Sequence, residues 1–313
     1  MNKTKHLAKP IVKWAGGKRS LLDTFETYFP TSKRINKYVE PFLGGGSVLF
    51  HFLNENRFDQ YIVSDINPSL ITMYVVVQRD IETLIEQLSA LESTYLAHDE
   101  AGRKAMFYEL REKFNELRQD PTIYVTSKDV VHSSSTYLAA LFIYLNRTCF
   151  NGLYRENLSG GFNVPHGRYK KPLILNKENL LNCHEAFQKV EFVSGDFEEL
   201  TSHIDSRTFI YLDPPYRPLE ASNKTFNGYS KESFDDEEQR RLARWCRTID
   251  KQGGYFMLSN SNPKNINPED TFFEDLYQGF YINDMIVAPR IISAKASTRK
   301  PVTELLVWNY RQQ

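Results

Sequence analysis

The sequence predicts an α/β fold, a doubly wound Rossmann-like sheet split by an inserted module of helices and a β-hairpin. Three observations lead there. Short apolar runs recur with helical stretches between them, the pattern of strands laid parallel with helical crossovers. Between about residues 70 and 148 that rhythm stops, and only helical stretches are left. The stretch CFNGLYRENLSGGFNVPHGRYKKP, 149–172, then doubles back at Ser159-Gly160-Gly161 as a hairpin would.

In chain order, YVEPF (38–42) is the first strand and runs into Gly44-Gly45-Gly46. SVLFHFLNE (47–55) reads as a helix, and YIVSD (61–65) as a second strand ending in an acid. The inserted helices are LITMYVVVQRDIETLIEQLSALES (70–93), RKAMFYELREKFNELRQ (103–119) and SSTYLAALFIYLNR (134–147), while DPTIYVTSKDVVHSSS (120–135) reads as a surface loop. Strands resume at VEFV (190–193), FIYL (209–212) and YFML (255–258). FYINDMIVAP (280–289) and VTELLVWNY (302–310) follow as an antiparallel closing pair. The expected division is therefore a catalytic domain of residues 1–69 and 173–313, and a target-recognition domain of residues 70–172.

The 313 residues carry 39 Lys and Arg against 39 Asp and Glu, so the formal charge is zero. The distribution is uneven, and distribution is what reveals a nucleic-acid face. Residues 1–22 hold Lys3, Lys5, Lys9, Lys13, Lys18 and Arg19 with no acid. Residues 145–172 set Arg147, Arg155, Arg168, Lys170 and Lys171 against Glu156 alone, and 285–303 hold Arg290, Lys295, Arg299 and Lys300 without an acid. Each cluster singly is an ordinary solvated face; the three together fit a basic groove. Three cysteines without a CxxC pair suit a reducing compartment and give neither a disulfide framework nor a zinc site. With no apolar leader and no membrane-length run, the expectation is a cytoplasmic protein.

Gly44-Gly45-Gly46 follows a strand and opens a helix, where backbone amides can approach a ligand, although a tight turn accounts for it equally. Asp65 stands at the end of the next strand, placed to accept from a ribose hydroxyl pair. A nicotinamide fingerprint fails because Leu49 occupies the third glycine position. A phosphate loop fails because Val12 replaces its first glycine and Arg19 its Ser or Thr. S-adenosylmethionine, which carries no phosphate, is the remaining common nucleoside cofactor. Asp196, after the third strand, could accept from its adenine amine; the alternative is that it caps the next helix.

YLDPPYRP (211–218) ends a strand abruptly, since neither Pro214 nor Pro215 has an N–H for a ladder. An exocyclic adenine amine is a poor nucleophile because its lone pair is delocalised into the ring. Two fixed acceptors, the Asp213 carboxylate and the Pro214 carbonyl, would pull that nitrogen toward a tetrahedral geometry, and Tyr216 would stack the base. A duplex hides its amines in the stack, so such a target must be swung out. Alone, the tetrapeptide fits a strand-ending turn just as well. Methylation at a pyrimidine carbon would call for a cysteine near these motifs, and the sequence has none there.

VKWAGGK (12–18), VEPFLGGGSV (39–48), SDIN (64–67), the 144–172 segment, DPPY (213–216) and TRK (298–300) together resemble the Dam-type DNA adenine methyltransferases, over nearly the whole chain. That resemblance implies double-stranded DNA as partner, S-adenosylmethionine as cofactor, no metal, and a monomer acting at GATC. Trp14, Lys18, Asp65 and Asp213 match the family's cofactor contacts, with the loop glycines Gly44 and Gly46 beside them. Lys13 matches a lysine that reads a guanine. Asn151, Leu153, Arg155 and Pro165 match hairpin residues that read the site or support reading, and Arg168 matches a phosphate contact. Arg155 has the fork for a guanine edge, and Leu153 could cover a thymine methyl. The blander roles are core packing for Leu153 and Trp14 and surface charge for Lys13 and Lys18. His166 departs from the aromatic residue common in the family and receives no role. The rival readings are an RNA adenine methyltransferase, disfavoured because Arg155 would find little to read in a deep A-form groove, and a catalytically silent DNA-binding protein.

Overall fold

The computed structural model describes residues 7–217, 234–288 and 302–312. The TRK motif, Lys3, Lys5, Arg290, Lys295 and the last residue of YLDPPYRP lie outside the described residues. The fold is mixed α/β. Seven strands, β1 (Lys37–Glu40), β2 (Gln60–Asp65), β3 (Val190–Ser194), β4 (Thr208–Leu212), β5 (Tyr255–Ser261), β6 (Tyr281–Ala288) and β7 (Val302–Trp308), form the sheet in the order β3-β2-β1-β4-β5-β7-β6. This is the Rossmann-like arrangement expected from the strand spacing. The chain divides into two compact units, Met1–Gly17, Leu43–Arg57 and Tyr61–Asp196 forming one, and Lys18–Phe42, Phe58–Gln60 and Phe197–Gln313 the other.

In the first unit β2 and β3 run parallel, with Tyr61 opposite Val190 and Asp65 opposite Ser194. Among the described residues six α-helices accompany them, numbered after α1 (Leu22–Glu26) of the other unit: α2 (Ser47–Glu55), α3 (Pro68–Arg79), α4 (Ile81–Ala97), α5 (Glu100–Leu117), α6 (Ser133–Thr148) and α7 (Lys177–Ala186). Pro68 opens α3 and Asn67 caps it, accepting from the N–H groups of Ser69 and Leu70 at 3.1 and 3.2 Å. Every residue from Ser69 to Val77 is buried, so α3 is a core helix with no solvent face. The single helix expected over 70–93 is instead two, broken at Asp80 (φ −138°). The Asp80 carboxylate accepts the hydroxyls of Thr83 at 2.7 Å and Thr136 at 2.6 Å, and that competition with the helical ladder ends α3.

Residues 120–135 are only partly the surface loop expected. Ile123 and Val125 are buried, and the Val125 N–H donates to Thr72 Oγ1 at 3.1 Å. The hairpin of 149–172 doubles back as expected but carries no continuous ladder. Its arms meet at isolated bridges, Cys149 with His166 and Glu156 with Phe162. Positive φ at Asn151 (57°) and Gly152 (67°), and the missing N–H of Pro165, prevent regular pairing between them.

The second unit contains α1 (Leu22–Glu26), α8 (Asp236–Lys251), α9 (Phe272–Leu276) and five strands. β4 lies parallel to β1 and to β5, with all five of its residues buried, as a strand covered on both faces must be. β7 runs antiparallel to both β5 and β6, the closing pair read from the sequence. The acid cluster Asp235-Asp236-Glu237-Glu238 is a helix start. Asp235 caps α8 through the N–H groups of Glu237 and Glu238, and the other three acids lie at the positive end of its dipole. Among the described residues no helix is long and apolar enough to cross a membrane.

Candidate active site and recognition hairpin

In the second unit β4 ends at Leu212, opposite Leu258 of β5, and Asp213 comes next. Pro214 and Pro215 follow without N–H groups, and the ledge is held from its far side. The Pro215 carbonyl accepts from Gln239 Nε2 at 3.2 Å, and Gln239 Oε1 accepts from Asn260 at 3.2 Å. Arg217 then clamps the exit, donating to Asp236 at 2.7 Å and to Asp270 at 2.8 Å. A double proline between a fully buried strand and two side-chain anchors leaves the Asp213 position little freedom.

Lys18 and Asp213 are brought together. The Lys18 ammonium lies 2.7 Å from Oδ1 and 2.8 Å from Oδ2 of Asp213, and 4.8 Å above the Tyr216 ring. Lys18 is 3% exposed, whereas the Asp213 side chain keeps 20%, so a ligand can still reach the carboxylate. The Ser259 hydroxyl donates to Asp213 Oδ1 at 3.2 Å. Because its one proton is committed there, the Tyr211 hydroxyl at 2.9 Å must donate to Ser259. Burial pushes the Asp213 carboxyl above the ordinary range, and Lys18 first and then Ser259 pull it partly back. Burial likewise pushes the Tyr216 hydroxyl far up, with the Asp213 charge adding to it, so Tyr216 stays a neutral ring.

The glycine loop lies in the first unit. Gly44 and Gly46 have positive φ, 47° and 69°, and Gly46 is the residue before α2. Asp65 closes the loop: Oδ2 accepts the Gly44 N–H and Oδ1 the Asn67 N–H, each at 2.9 Å. Both oxygens keep a second lone pair, so this carboxylate organises the loop and can also receive a ligand's hydroxyls. Trp14 packs on the loop so closely that a Cβ on Gly44 would come within 2.7 Å of its ring, and one on Gly45 within 2.9 Å of its Cβ. Its indole stacks on Tyr154 at 5.2 Å and 22°. Trp14 is half-buried, so this packing leaves part of the indole accessible. Asp196 directly precedes the 3-10 turn Phe197–His203, the position of a cap, next to Gly195, whose N–H donates to the Asp65 carbonyl at 3.2 Å.

The expected reading residues also lie in this unit. Lys13, Asn151, Arg155, Pro165 and Arg168 are exposed and Leu153 is partly covered, which removes Leu153 from the core. The aliphatic chain of Lys13 rests on Gly152, where a Cβ would collide with it, and its ammonium lies 5.8 Å from the Tyr169 ring centre. Arg155 Nε donates to Asn163 Oδ1 at 2.8 Å, and the Asn163 N–H donates to the Arg155 carbonyl at 3.1 Å. His166 is a supporting residue. Tyr95 donates its hydroxyl proton to the Tyr169 carbonyl, so it accepts from His166 Nε2–H at 2.9 Å. Burial holds that imidazole below its usual pKa, which keeps it neutral.

Four residues that matter here were not singled out from sequence: Asn146, Tyr154, Ser259 and Glu304. Asn146 and Tyr154 sit inside segments that carried the resemblance, YLNR and GLYR, and Ser259 directly follows the apolar run YFML. Glu304 is an acid in an otherwise apolar strand, VTELLVW, and that mismatch is a usable signal. All three cysteines are buried, and burial pushes the Cys149 thiol up to about 11 and the Cys183 thiol up to about 12, which makes them poor nucleophiles.

A Rossmann-like sheet with a glycine loop closed by an acid after one strand, and a DPPY ledge after another, defines a methyltransferase. The model of the D12 class N6 adenine-specific DNA methyltransferases matches residues 14–287, and the chain belongs to that family. It is therefore an adenine-specific DNA methyltransferase. The chain is 43% identical over 308 residues to the Type II methyltransferase M.MjaIII of Methanocaldococcus jannaschii, covering 96% of this chain and 99% of that protein. It is 34% identical over 304 residues to a DNA adenine methylase of Haemophilus influenzae (97% and 94%), and 33% identical over 298 residues to one of Vibrio cholerae (95% and 95%).

Proposed function

We propose that S-adenosylmethionine is the methyl donor, that the target adenine is swung out of duplex DNA onto the DPPY ledge, and that the enzyme acts at GATC. Residues 1–69 and 173–313 hold the cofactor and perform the transfer, and residues 70–172 recognise the target. The observation that carries this reading is the Asp213 carboxylate, fixed at the carboxyl end of β4 by two prolines and still accessible.

The first unit's donors and acceptors fit the cofactor. Asp65 has lone pairs left for a ribose diol, the loop glycines add no side chain, and Trp14 keeps part of its indole accessible beside them. In this reading Asp196 accepts from the adenine amine, and Lys18 and Asp213 are the cofactor contacts that the resemblance assigns. When bound, this cofactor supplies a methyl group on a positively charged sulfur.

Asp213 accepts one N–H of the target amine and the Pro214 carbonyl accepts the other. The nitrogen lone pair is thereby localised and aimed, and Tyr216 stacks the base. That lone pair is what would take up the methyl group the cofactor supplies. The nitrogen then sheds one proton, and Asp213, already in contact with it, is the base that receives it. Site choice falls to Lys13 and to Asn151, Leu153, Arg155 and Pro165, with Arg168 on a phosphate. With Arg155 Nε taken by Asn163, the terminal nitrogens are the pair left for a guanine edge.

The test is methyl transfer from labelled S-adenosylmethionine to duplex DNA, followed by sequencing of the modified adenines. Label confined to N6 of adenine in GATC is expected. Binding of GATC duplex without transfer overturns the catalytic reading, and equal rates on sites altered at the guanine overturn the specificity. Asp213→Ala should abolish transfer while leaving DNA affinity largely unchanged.

A further inference from the structure

Tyr154 stands between Leu153 and Arg155, the two neighbours expected to read bases, and its own ring is turned inward. It packs on two near-parallel rings, Trp14 at 5.2 Å and 22° and Phe142 of α6 at 5.2 Å and 23°. Trp14 in turn rests on Gly44 and Gly45 so closely that neither position has room for a Cβ. The Tyr154 ring therefore bears on the glycine loop through one intervening side chain.

Its hydroxyl follows a second route to the same place. It donates to Glu156 Oε1 at 2.6 Å, and the Asn67 side chain reaches it as well. The Asn67 N–H is held by Asp65 Oδ1 at 2.9 Å, and the Asn67 side chain caps α3. Glu156 is paired with the Arg118 guanidinium just past α5, which also donates to the Gly160 carbonyl at 2.7 Å and to Ser69 Oγ at 3.2 Å. Burial raises the Tyr154 hydroxyl above its ordinary range, so it stays protonated and keeps this donor role. One side chain thus bears on the glycine loop, on the acid that closes it and on the tip of the hairpin, all inside one compact unit.

We propose that Tyr154 is a positioning residue that couples the cofactor pocket to base reading. A cofactor seated against Trp14 and Asp65 fixes the Tyr154 ring and hydroxyl, and with them the backbone that carries Leu153 and Arg155. The proposal rests on the reading of Trp14 and Asp65 as cofactor contacts and of Arg155 as a base reader. Trp14 is half-buried and Arg155 exposed, so both ends keep freedom that a ligand removes. The first ligand to bind orders the shared stack, and the second then has less entropy to lose, which is positive cooperativity without a change of fold.

The test measures binding of a GATC duplex with and without saturating S-adenosylhomocysteine, the demethylated cofactor, so that no turnover occurs. In the wild type the cofactor product should tighten duplex binding at least about fivefold, and the duplex should tighten cofactor binding by the same factor. On a duplex altered at the guanine the factor should fall below about twofold, because Arg155 then has no edge to seat. Tyr154→Leu, which removes both the stack and the hydroxyl, should bring the GATC factor close to one. Tyr154→Phe, which keeps the stack, should retain part of it and decides the matter should Tyr154→Leu not fold. A wild type that binds both ligands without coupling, a factor as large on the altered duplex, or a wild-type factor in either variant overturns the proposal. A wild type that does not bind S-adenosylhomocysteine, or binds both duplexes equally with and without it, overturns the underlying reading instead.

Discussion

Asn146 holds the main chain of Lys13 from both sides: Oδ1 accepts the Lys13 N–H and Nδ2 donates to the Lys13 carbonyl, each at 2.9 Å. The same Nδ2 donates to the Gly152 carbonyl at 3.0 Å. One buried amide from α6 thus fixes Lys13, the lysine proposed to read a guanine, relative to the first turn of the hairpin, inside one compact unit.

Asn146→Ala leaves those backbone groups without their partner. The expected cost is about 2–4 kcal/mol, given roughly 1–3 kcal/mol per buried group left unpaired. Urea unfolding measures it. Discrimination between GATC and sites changed at the guanine should fall with it, because Lys13 loses its register. A variant as stable and as selective as wild type contradicts this placement.

Asn163→Ala releases Arg155 Nε without removing its charge. Site discrimination should fall by a fraction of the loss caused by Arg155→Ala, while non-specific binding and its salt dependence stay near wild type. The double variant should be no worse than Arg155→Ala alone. Competition binding with matched and altered duplexes checks all three.

Gly44→Ala puts a Cβ 2.7 Å from the Trp14 ring at a φ of +47°, so either the indole or the loop must move. Cofactor affinity should drop at least tenfold, with a change in Trp14 fluorescence, while DNA binding changes less. Equilibrium titration with S-adenosylmethionine decides it.

The fold was legible because its signals are local. Each of the seven strands coincides with an apolar run, and SVLFHFLNE is α2 from its first residue to its last. The helix break at Asp80 was not legible, because it depends on a hydroxyl from Thr136 far along the chain. In the site, Asp65 and Asp213 announced themselves as acids at strand ends. What they hold did not: no spacing rule relates Asp65 to the Gly44 N–H, or Ser259 to Asp213. Glu304 escaped notice because its place opposite Ser261 depends on the β5–β7 register, which is set by pairing and not by sequence order.

Acceptance of an N–H by Asp213 needs the ionised carboxylate, so transfer should rise with pH through the pKa of that group. Burial sets this pKa above the ordinary carboxylate range, and the Lys18 charge is the largest influence drawing it back. Lys18→Met removes that draw. The pKa then moves further up, and the acid limb of kcat/KM must move to higher pH. Ser259→Ala removes a smaller lowering contribution and should move the limb in the same direction by less. Stability follows the same sign. A carboxyl with a raised folded pKa binds its proton more tightly in the native state, so its contribution is complete below the unfolded pKa and is lost as pH rises through the folded value. Lys18→Met should therefore lose stability on going from acid to neutral pH more steeply than wild type. Rate profiles and urea midpoints measured across the same pH series read both effects. An acid limb that stays in place, or shifts to lower pH, would remove Lys18 from the electrostatics of Asp213.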